Sequence, residues 1–286
     1  MSAHHDASSG PAAPVGLDLS HPQLGLALRA ATAAADLLVE GVGEHLEVST
    51  KSSRTDVVTQ MDTAAEALLV RTILAERPED GLLGEEGSDR AGTSGVRWII
   101  DPLDGTVNYL YRLPGWAVSV AVEVDGVVEV GVVAAPMLGE TYVAVRGQGA
   151  ALLRPGHPGS VSRVVPNRPA ELGQCLVATG FGYARDRRAG QARALAVVLP
   201  EVRDIRRAGA AAIDLCWTAA GHVDCYYERG LNPWDLAAGV LVATEAGLVA
   251  GGPGAGPASP ELTWLAPPDL ADAWRALLAR AGADHD

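Results

Sequence analysis

The sequence has few cysteines and no long apolar run. Its three cysteines, Cys175, Cys216 and Cys225, are scattered and odd in number. This excludes a disulfide framework and a cysteine-based zinc site, and it favours small core residues. No apolar run is long enough to cross a bilayer, so we expect no membrane span. Residues 1–20 lack the basic and apolar regions of a secretory signal, so we expect a flexible tail on a cytoplasmic protein.

Basic residues are also scarce. The 286 residues contain 22 Lys and Arg against 35 Asp and Glu, which gives a formal net charge of −13. Nucleic-acid binding normally depends on a basic surface, so we expect no nucleic-acid partner. A small anionic substrate would need local positive charge, which this acidic composition does not indicate, and bound cations are the obvious source.

The first half of the chain combines helices with an antiparallel sheet. Helical spacing of apolar residues predicts helices over 24–42 and 59–76. From Ala117 the pattern alternates between apolar and polar residues, which predicts a meander with a hairpin at 125–126 and a turn at 136–139. We therefore expect an α+β lobe over residues 21–165.

The second half alternates between strand and helix patterns. Residues 154–169 are rich in Pro, Gly and Ser and predict a hairpin, a linker or both. We place a boundary near their end and expect an α/β lobe over 166–286. The Gly-rich stretch 247–257 favours a surface turn over a phosphate-binding loop. Strands are predicted near 175–181, 202–207 and 223–228, and helices near 191–200 and 210–221.

One stretch places acids directly behind an apolar run. RWIIDPLDGTVNYL, residues 97–110, reads as a strand followed by Asp101, Asp104 and Thr106. A polar turn explains these residues, because Asp, Pro and Gly are ordinary turn residues. A functional loop behind a buried strand explains them equally well.

Other acids have structural explanations when taken singly. Glu85 follows an apolar pair and a glycine, so it could project from a strand end. Asp235 falls in a first helical turn behind an Asn-Pro start, where the helix dipole favours a carboxylate. Asp62 lies one turn before Glu66, and a solvated helix face accounts for that pair.

Taken together, the acids favour a metal site. The carboxylates of Asp101 and Asp104, the Leu103 carbonyl and the Thr106 hydroxyl are hard oxygen ligands within one short turn. Mg²⁺ or Mn²⁺ suits them, whereas Zn²⁺ prefers His or Cys. If Glu85 and Asp235 converge on Asp101 and Asp104, the empty site carries about −4 and repels phosphate. Two or three divalent cations reverse that sign, and the Gly105 and Thr106 amides could hold phosphate oxygens.

Four separated motifs carry a family resemblance. They are KSSRTDVVTQMD at 51–62, GEE at 84–86, WIIDPLDGT at 98–106 and NPWDLAAG at 232–239. In residues, order and spacing the chain resembles the inositol monophosphatases, within the lithium-sensitive, magnesium-dependent phosphatase superfamily. The resemblance runs from about Leu24 to the last apolar segment. It implies an αβαβα layered sandwich, a site between the lobes and a homodimer.

The resemblance also implies roles for matching residues. Asp62, Thr106 and Glu85 would be catalytic, with the Asp62–Thr106 pair orienting and deprotonating the water that attacks phosphorus in line. Lys51 falls at the family's lysine. The metal set, for two to three Mg²⁺ with Mn²⁺ as a possible substitute, would be Glu85, Asp101, the Leu103 carbonyl, Asp104 and Asp235, with the Thr106 hydroxyl. The substrate-binding set would be Asp104, Gly105, Thr106, Ala211, Glu228 and Asp235.

The implied function is hydrolysis of myo-inositol monophosphate, a phosphate monoester, to inositol and phosphate. Asn232-Pro233 replaces the His-Cys of animal members, and Ala210 stands where they often have threonine. These departures leave open the related substrates fructose 1,6-bisphosphate, 3′-phosphoadenosine 5′-phosphate and histidinol phosphate. A regulatory or scaffolding protein with the same fold is a different class. The intact acid set weighs against it, because clustered carboxylates are costly without a metal.

Four aromatic residues lie beside the motifs. Tyr226 and Tyr227 precede Glu228, and packing explains them better than stacking against a substrate. Trp98 and Trp234 precede the aspartates, and we expect them to wedge the backbone against the core.

Overall fold

The chain folds into seven α-helices and three β-sheets over the residues that the structure describes. A computed structural model describes residues 16–43, 48–50, 57–154 and 160–285. Lys51 and most of the 1–20 tail lie outside these ranges. The helices are α1 Pro22–Gly41, α2 Gln60–Glu76, α3 Thr106–Leu110, α4 Arg185–Val198, α5 Ala211–Ala219, α6 Pro233–Glu245 and α7 Ala271–Ala281.

The strands form one large sheet, one smaller sheet and a two-stranded pair. The large sheet has the order β10-β9-β8-β7-β6-β5-β3-β4, the smaller one β12-β11-β13-β15-β14, and β1 pairs with β2. The strands are β1 Val48–Thr50, β2 Val57–Thr59, β3 Gly81–Gly84, β4 Asp89–Arg90, β5 Val96–Asp104, β6 Ala117–Val124, β7 Val127–Ala135, β8 Glu140–Val145, β9 Gly149–Leu153, β10 Val161–Arg163, β11 Leu176–Thr179, β12 Asp204–Arg206, β13 Cys225–Glu228, β14 Val249–Gly251 and β15 Thr263–Ala266.

The layers stack as helix, sheet, helix, sheet, helix. Helices α1 and α2 cover one face of the eight-stranded sheet, and α5 and α6 lie between this sheet and the five-stranded one. Helices α4 and α7 cover the outer face of the smaller sheet. A separate hydrophobic core fills each side of each sheet, with the middle core shared. The predicted αβαβα architecture is confirmed.

The twofold periodicity of the strands separates the cores. In β6, Val118, Val120 and Val122 point into the core beneath α1 and α2, while Ala117 and Ala121 point toward α5 and α6. Successive side chains of a strand alternate between faces, so one segment supplies both cores. The second face carries small residues, which lets the middle helices approach closely.

The helix predictions hold except at one end. Helices α1, α2 and α5 match their predicted ranges within about two residues. Helix α4 begins at Arg185, well before the predicted start near 191. Its first turns are polar and largely exposed, so they give no apolar periodicity by which a helix start could be recognised.

The strand predictions hold with two corrections. The meander is confirmed, and its hairpin turns at Asp125 and Gly126 with positive φ of 49° and 84°. The stretch 247–257 is more than a turn, because Val249–Gly251 forms edge strand β14. Strand β5 does not stop before its acids but continues to Asp104. The pairing of β5 with β6 shifts register between Asp101 and Asp104, so the acids sit on a bulged strand end.

The three cysteines are free and buried, as expected. Among the described residues, no helix is both long and apolar enough to cross a membrane. Of the predicted linker 154–169, residues 155–159 lie outside the described ranges, while Val161–Arg163 pairs with β9 as a hairpin strand. The lobe boundary near 165 stays a prediction.

Candidate active site

The bulged end of β5 supplies two buried carboxylates. The Leu103 amide donates to Asp101 Oδ1 at 2.9 Å, which fixes the Asp101 side chain within the bulge. Asp104 Oδ2 accepts the Ala212 amide at 2.7 Å, at the start of α5. A carboxylate at a helix N-terminus is stabilised by the unpaired amides and the helix dipole. The two acids are thus positioned by different elements.

Thr106 begins α3 directly after this bulge. Gly105 precedes it with φ of 93°, a conformation that L-residues rarely adopt. A Cβ at position 105 would lie 2.9 Å from the Gly115 carbonyl oxygen, so glycine is also required by space. The Thr106 hydroxyl lies 2.9 Å from Asp62 Oδ1 and 3.2 Å from the Leu103 carbonyl oxygen.

Asp62 is held rigidly behind Thr106. It occupies the first turn of α2, where its Oδ2 accepts from the Thr59 amide at 2.9 Å and from the Thr59 hydroxyl at 2.5 Å. The side chain is fully buried. Burial raises the pKa of Asp62, while the hydrogen bonds from Thr59 and Thr106 oppose that rise. The hydrogen bond that the family resemblance predicts between Thr106 and Asp62 is present.

Asp235 reaches the same place from α6. Asn232 is the N-cap, Pro233 occupies the first helical position, and the Asn232 amide donates to Asp235 Oδ2 at 2.6 Å. This local geometry is the one that the sequence predicts. Trp234 packs against the middle core, and its carbonyl accepts from the Ser119 hydroxyl of β6 at 3.1 Å. The middle helix is therefore fastened to the large sheet beside the site.

Three carboxylates converge where a metal would bind. One oxygen from each of Asp101, Asp104 and Asp235 lies within 4.8 Å of the others. Asp101 Oδ2 is buried and has no hydrogen-bond partner among the described residues. A buried carboxylate oxygen with no partner is costly, and a cation would satisfy it. The donor set of hard oxygens fits Mg²⁺.

The convergence shifts the pKa values of these carboxyls upward. Burial raises the pKa of Asp101 well above its ordinary value, and the charges of Glu85, Asp104 and Asp235 raise it further. Burial raises the pKa of Asp104 to about 7, although the Ala212 amide opposes this. The pKa of Asp235 rises well above its ordinary value, first through burial and then through Asp104. Without a cation, the group holds its charge poorly.

Glu85 approaches these acids from a loop that α2 positions. The Glu85 amide donates to the Ile100 carbonyl at 3.3 Å, which ties the loop after β3 to β5. Glu66 of α2 accepts from the Glu86 and Ser88 amides at 2.8 and 2.9 Å. Glu66 and Asp62 are both buried, so the explanation of this pair as a solvated helix face is wrong. Tertiary packing turns both carboxylates inward as backbone acceptors.

One cleft of about 560 Å³ collects the predicted site residues. Asp62 lies behind the wall of the cleft and accepts a hydrogen bond from the Thr106 hydroxyl. Arg187, Arg207 and Arg229 also line the cleft and supply positive charge in a protein of net negative charge. The predicted residues that line it are Glu85, Asp101, Leu103, Asp104, Gly105, Thr106, Ala211, Glu228 and Asp235.

Glu228 projects from the end of β13 into this cleft. The Tyr226 hydroxyl donates to Glu228 Oε2 at 2.8 Å. Burial raises the pKa of Glu228 to about 7, with the Tyr226 hydrogen bond opposing the rise. A Cβ at Gly180 would overlap the Glu228 carboxylate in this position, so the glycine leaves room for it. Tyr226 therefore orients an acid as well as packing, whereas Tyr227 packs edge-on against Trp274 as expected.

Sequence reasoning missed three positioning or lining residues. Glu66 was identified only as part of a helix face, and Tyr226 only as packing. Asp214 was not singled out, although it lies three residues after Ala211 on α5 and lines the same cleft. Residues three apart share a helix face, so this spacing was the available signal. Trp98 packs as predicted, and its indole N–H also donates to Asp80 at 2.9 Å.

Comparison with known proteins agrees with this geometry. The family model described as "Inositol monophosphatase family" matches residues 21–281. The chain belongs to the inositol monophosphatase family. An inositol-1-monophosphatase of Mycobacterium leprae is 43% identical over 264 residues, covering 88% of this chain and 87% of that protein. The family is one of metal-dependent phosphatases.

Two further relatives carry a different name. The protein named Nus factor SuhB of Escherichia coli strain K12 is 42% identical over 231 residues, which cover 79% of this chain and 84% of that protein. The crystal structure of the extragenic suppressor protein suhB from Bartonella henselae has a TM-score of 0.82 and 34% identity, and it covers 91% of this chain and 97% of that one. Family membership therefore fixes the fold and the reaction class more closely than the biological role.

Proposed function

We propose that this protein is a Mg²⁺-dependent phosphomonoesterase that hydrolyses myo-inositol monophosphate to inositol and phosphate. One observation carries the proposal. The Asp101, Asp104 and Asp235 carboxylates meet within 4.8 Å at the edge of a cleft, and the Asp62–Thr106 pair stands directly behind them. A polar turn or a solvated helix face would not bring these residues together.

The acids form a set that fits two to three Mg²⁺ ions, with Mn²⁺ as a possible substitute. Glu85, Asp101, Asp104 and Asp235 would hold them, together with the Leu103 carbonyl and the Thr106 hydroxyl. When bound, the ions supply a Lewis acid that neutralises phosphate charge and makes water acidic. The unpartnered Asp101 Oδ2 supports this assignment.

The Asp62–Thr106 pair would orient and deprotonate the attacking water. Because the Thr106 hydroxyl donates to Asp62 Oδ1, its oxygen lone pairs are left to accept a hydrogen bond from water. As the water oxygen bonds to phosphorus, the bond from phosphorus to the leaving alcohol oxygen would break, and that oxygen would take up a proton from solvent. The attacking water's proton would move to Thr106 while the Thr106 proton moves to Asp62. Thr59 holds the other Asp62 oxygen, so the acceptor stays aligned. No covalent phosphoenzyme forms in this scheme.

The remaining cleft residues would bind the substrate. The Gly105 and Thr106 amides, at the start of α3, would donate to phosphate oxygens. Glu228 and the Ala211 backbone lie across the cleft and would contact the inositol ring. Asp104 and Asp235 would contact both the ions and the leaving oxygen.

A substrate panel tests this function. Purified protein with Mg²⁺ is expected to release phosphate from inositol 1-phosphate with a higher kcat/KM than from fructose 1,6-bisphosphate, 3′-phosphoadenosine 5′-phosphate or histidinol phosphate. Chelator and Asp104→Asn should each abolish release. Turnover in chelator would contradict the metal requirement, and a higher kcat/KM for another substrate would contradict the inositol assignment.

The same purified protein can be used to test lithium inhibition and oligomeric state. Inhibition by added lithium and a homodimer in solution are expected by family resemblance. Light scattering measures the second directly. We also place the protein in the cytoplasm, without a nucleic-acid partner.

A regulatory role is a second candidate function. Relatives that are 42% identical are named Nus factors, which favours this candidate for the same fold. Complementation of a deletion strain by Asp235→Asn separates the two. Growth rescued by this variant would point to a role that needs the folded protein and not hydrolysis, whereas growth rescued only by the wild type would point to catalysis.

A further inference from the structure

Asp214 is a buried carboxylate at the cleft that the proposed mechanism does not use. It lies in the first turns of α5, three residues after Ala211, and only 1% of it is exposed. It lines the cleft, and its Oδ1 has no hydrogen-bond partner among the described residues. A buried polar atom without a partner costs stability, so its presence at the cleft calls for an explanation.

The groups around Asp214 indicate which hydrogen-bond donors its Oδ1 lacks. Burial raises the pKa of the Asp214 carboxyl well above its ordinary value, and the nearby charges of Glu228 and Asp104 raise it further, while the Ala208 backbone and the Arg207 guanidinium oppose that rise. Asp214 is not among the described acids that could share one ion, which are Asp101, Asp104 and Asp235. The carboxylate thus has a backbone hydrogen bond from Ala208, while its buried Oδ1, at the wall of the cleft, is left without a donor among the described residues.

Glu228 places a second acceptor next to Asp214. The Tyr226 hydroxyl donates to Glu228 Oε2, and Glu228, like Asp214, lines the cleft. Both acids stand on rigid elements, Asp214 on α5 and Glu228 on β13. Two adjacent fixed acceptors match a molecule that presents two neighbouring hydroxyl donors.

We propose that Asp214 accepts a hydrogen bond from a hydroxyl of the leaving alcohol and, beside Glu228, selects phosphate esters of vicinal polyols. The inference rests on the proposed phosphatase function and narrows its substrate class. A site built to pair with a substrate hydroxyl rejects analogues that lack it, because its own buried polar group is then left unpaired. Asp214 thus determines specificity and takes no part in bond cleavage.

Two substrates that differ in the leaving group test this role. Asp214→Asn and Asp214→Ala are expected to lower kcat/KM for inositol 1-phosphate about 10- to 100-fold, mainly through KM. Activity on p-nitrophenyl phosphate, whose leaving group carries no hydroxyl besides the reacting oxygen, should stay within about twofold. Asp186→Asn is the matched control, because Asp186 lies in the first turn of α4 and is exposed. Asp186→Asn should leave kcat/KM unchanged for both substrates.

Other outcomes overturn the proposal. Equal losses on both substrates with a lower melting temperature would assign Asp214 a structural role. A higher Mg²⁺ concentration for half-activation on both substrates would make it a metal ligand. Unchanged kinetics on both would leave it no role in recognition.

A binding measurement keeps this test separate from the proposed function. Calorimetry with inositol 1-phosphate and Ca²⁺, another hard cation for oxygen ligands, reads the contact without turnover. Asp214→Ala should weaken this binding at least about tenfold. If the wild type binds inositol 1-phosphate but hydrolyses nothing, the phosphatase function fails while the Asp214 contact stands. If the wild type and Asp214→Ala bind it equally, the contact fails.

Discussion

Thr106 gains its proposed role from the acceptor behind it. An isolated threonine hydroxyl is a weak base, but here the Thr106 hydroxyl lies within hydrogen-bond distance of Asp62 Oδ1, at 2.9 Å. Asp62 is in turn fixed by two hydrogen bonds from Thr59. A general base works when it is aligned and its partner can take up the proton. The rigidity of this chain of three residues matters as much as their identity.

Replacement of Asp62 should therefore reduce chemistry more than metal binding. Asp62→Asn keeps the volume but loses the acceptor charge, so kcat is expected to fall about 100-fold or more. The Mg²⁺ concentration for half-activation should stay within about threefold, because Asp62 lies behind the wall and outside the converging acids. Steady-state kinetics over a Mg²⁺ series measures both. An unchanged kcat would remove Asp62 from the mechanism.

At the scale of elements, α2 carries two acids with separate tasks. Asp62 supports Thr106, and Glu66 one turn later holds the Glu86 and Ser88 amides of the loop that carries Glu85. A Cβ on Gly84 would lie 2.6 Å from a Glu66 oxygen, so the loop backbone runs directly over this carboxylate. One helix thus positions parts of the site from two strands.

Glu66→Gln should loosen this loop. The amide side chain can accept at one oxygen only, so one of the two loop amides loses its partner. We expect the Mg²⁺ concentration for half-activation to rise several-fold and kcat to change less, since Glu85 and not Asp62 is displaced. Glu76→Gln, at the exposed end of the same helix, is the control and should change neither. Equal effects of the two variants would show that loop positioning does not depend on Glu66.

Gly131 controls how α6 lies on the large sheet. A Cβ there would approach the Ala238 backbone to 2.8 Å, and backbone cannot rotate away. Gly131→Ala should destabilise the protein by about 1–3 kcal/mol and weaken activity, because α6 carries Asp235. Gly173→Ala, where an added Cβ meets nothing within 4 Å, is the control. Chemical denaturation of both variants decides this, and equal stabilities would contradict the close packing.

At the scale of the whole molecule, the negative charge gathered around the cleft opposes folding. Acids from β5, α5, α6 and β13 surround one cavity in a protein that already carries a formal charge of −13. Bringing these carboxylates together costs free energy unless cations or protons compensate. The convergence of these acids therefore lowers the stability of the metal-free protein.

The raised pKa values predict that the stability of the metal-free protein depends on pH with the opposite sign from that of a protein with salt-bridged acids. Asp104 and Glu228 have pKa values of about 7 in the folded protein, against about 4 when unfolded. Between those values the folded state holds more protons, so stability in chelator should fall as pH rises from about 4 to 7. Acids of lowered pKa, such as Asp80, oppose this only below about pH 4.

Thermal unfolding at pH 5 and pH 8, with chelator or with Mg²⁺, measures this dependence. Mg²⁺ should raise the melting temperature more at pH 8, where the ligands are ionised. Glu228→Gln removes one titrating group and should flatten the profile in chelator. A metal-free protein that is more stable at pH 8 than at pH 5 would contradict the prediction.

The residue patterns predicted most of the elements and the acids of the candidate site, and the family resemblance implied the layer order. Period-2 and period-3.6 patterns depend only on which residues face apolar surroundings, so α1, α2, α5 and the meander could be predicted. The motifs around Asp101 and Asp235 predicted the three acids that converge, Asp101, Asp104 and Asp235, because each motif keeps its chemistry within a few consecutive residues. The helix start at Asn232 was predictable for the same reason, since capping is local.

Only the tertiary structure decided which acids face the site and which merely hold it. In sequence, Glu66 and Asp62 both fit a solvated helix face. The structure buries them against the loop and Thr106, where they act as hydrogen-bond acceptors. Asp214 and Tyr226 gain their positions from contacts between elements far apart in the chain. Local patterns record how a segment folds, but a shared cleft forms from segments that meet only after the layers pack.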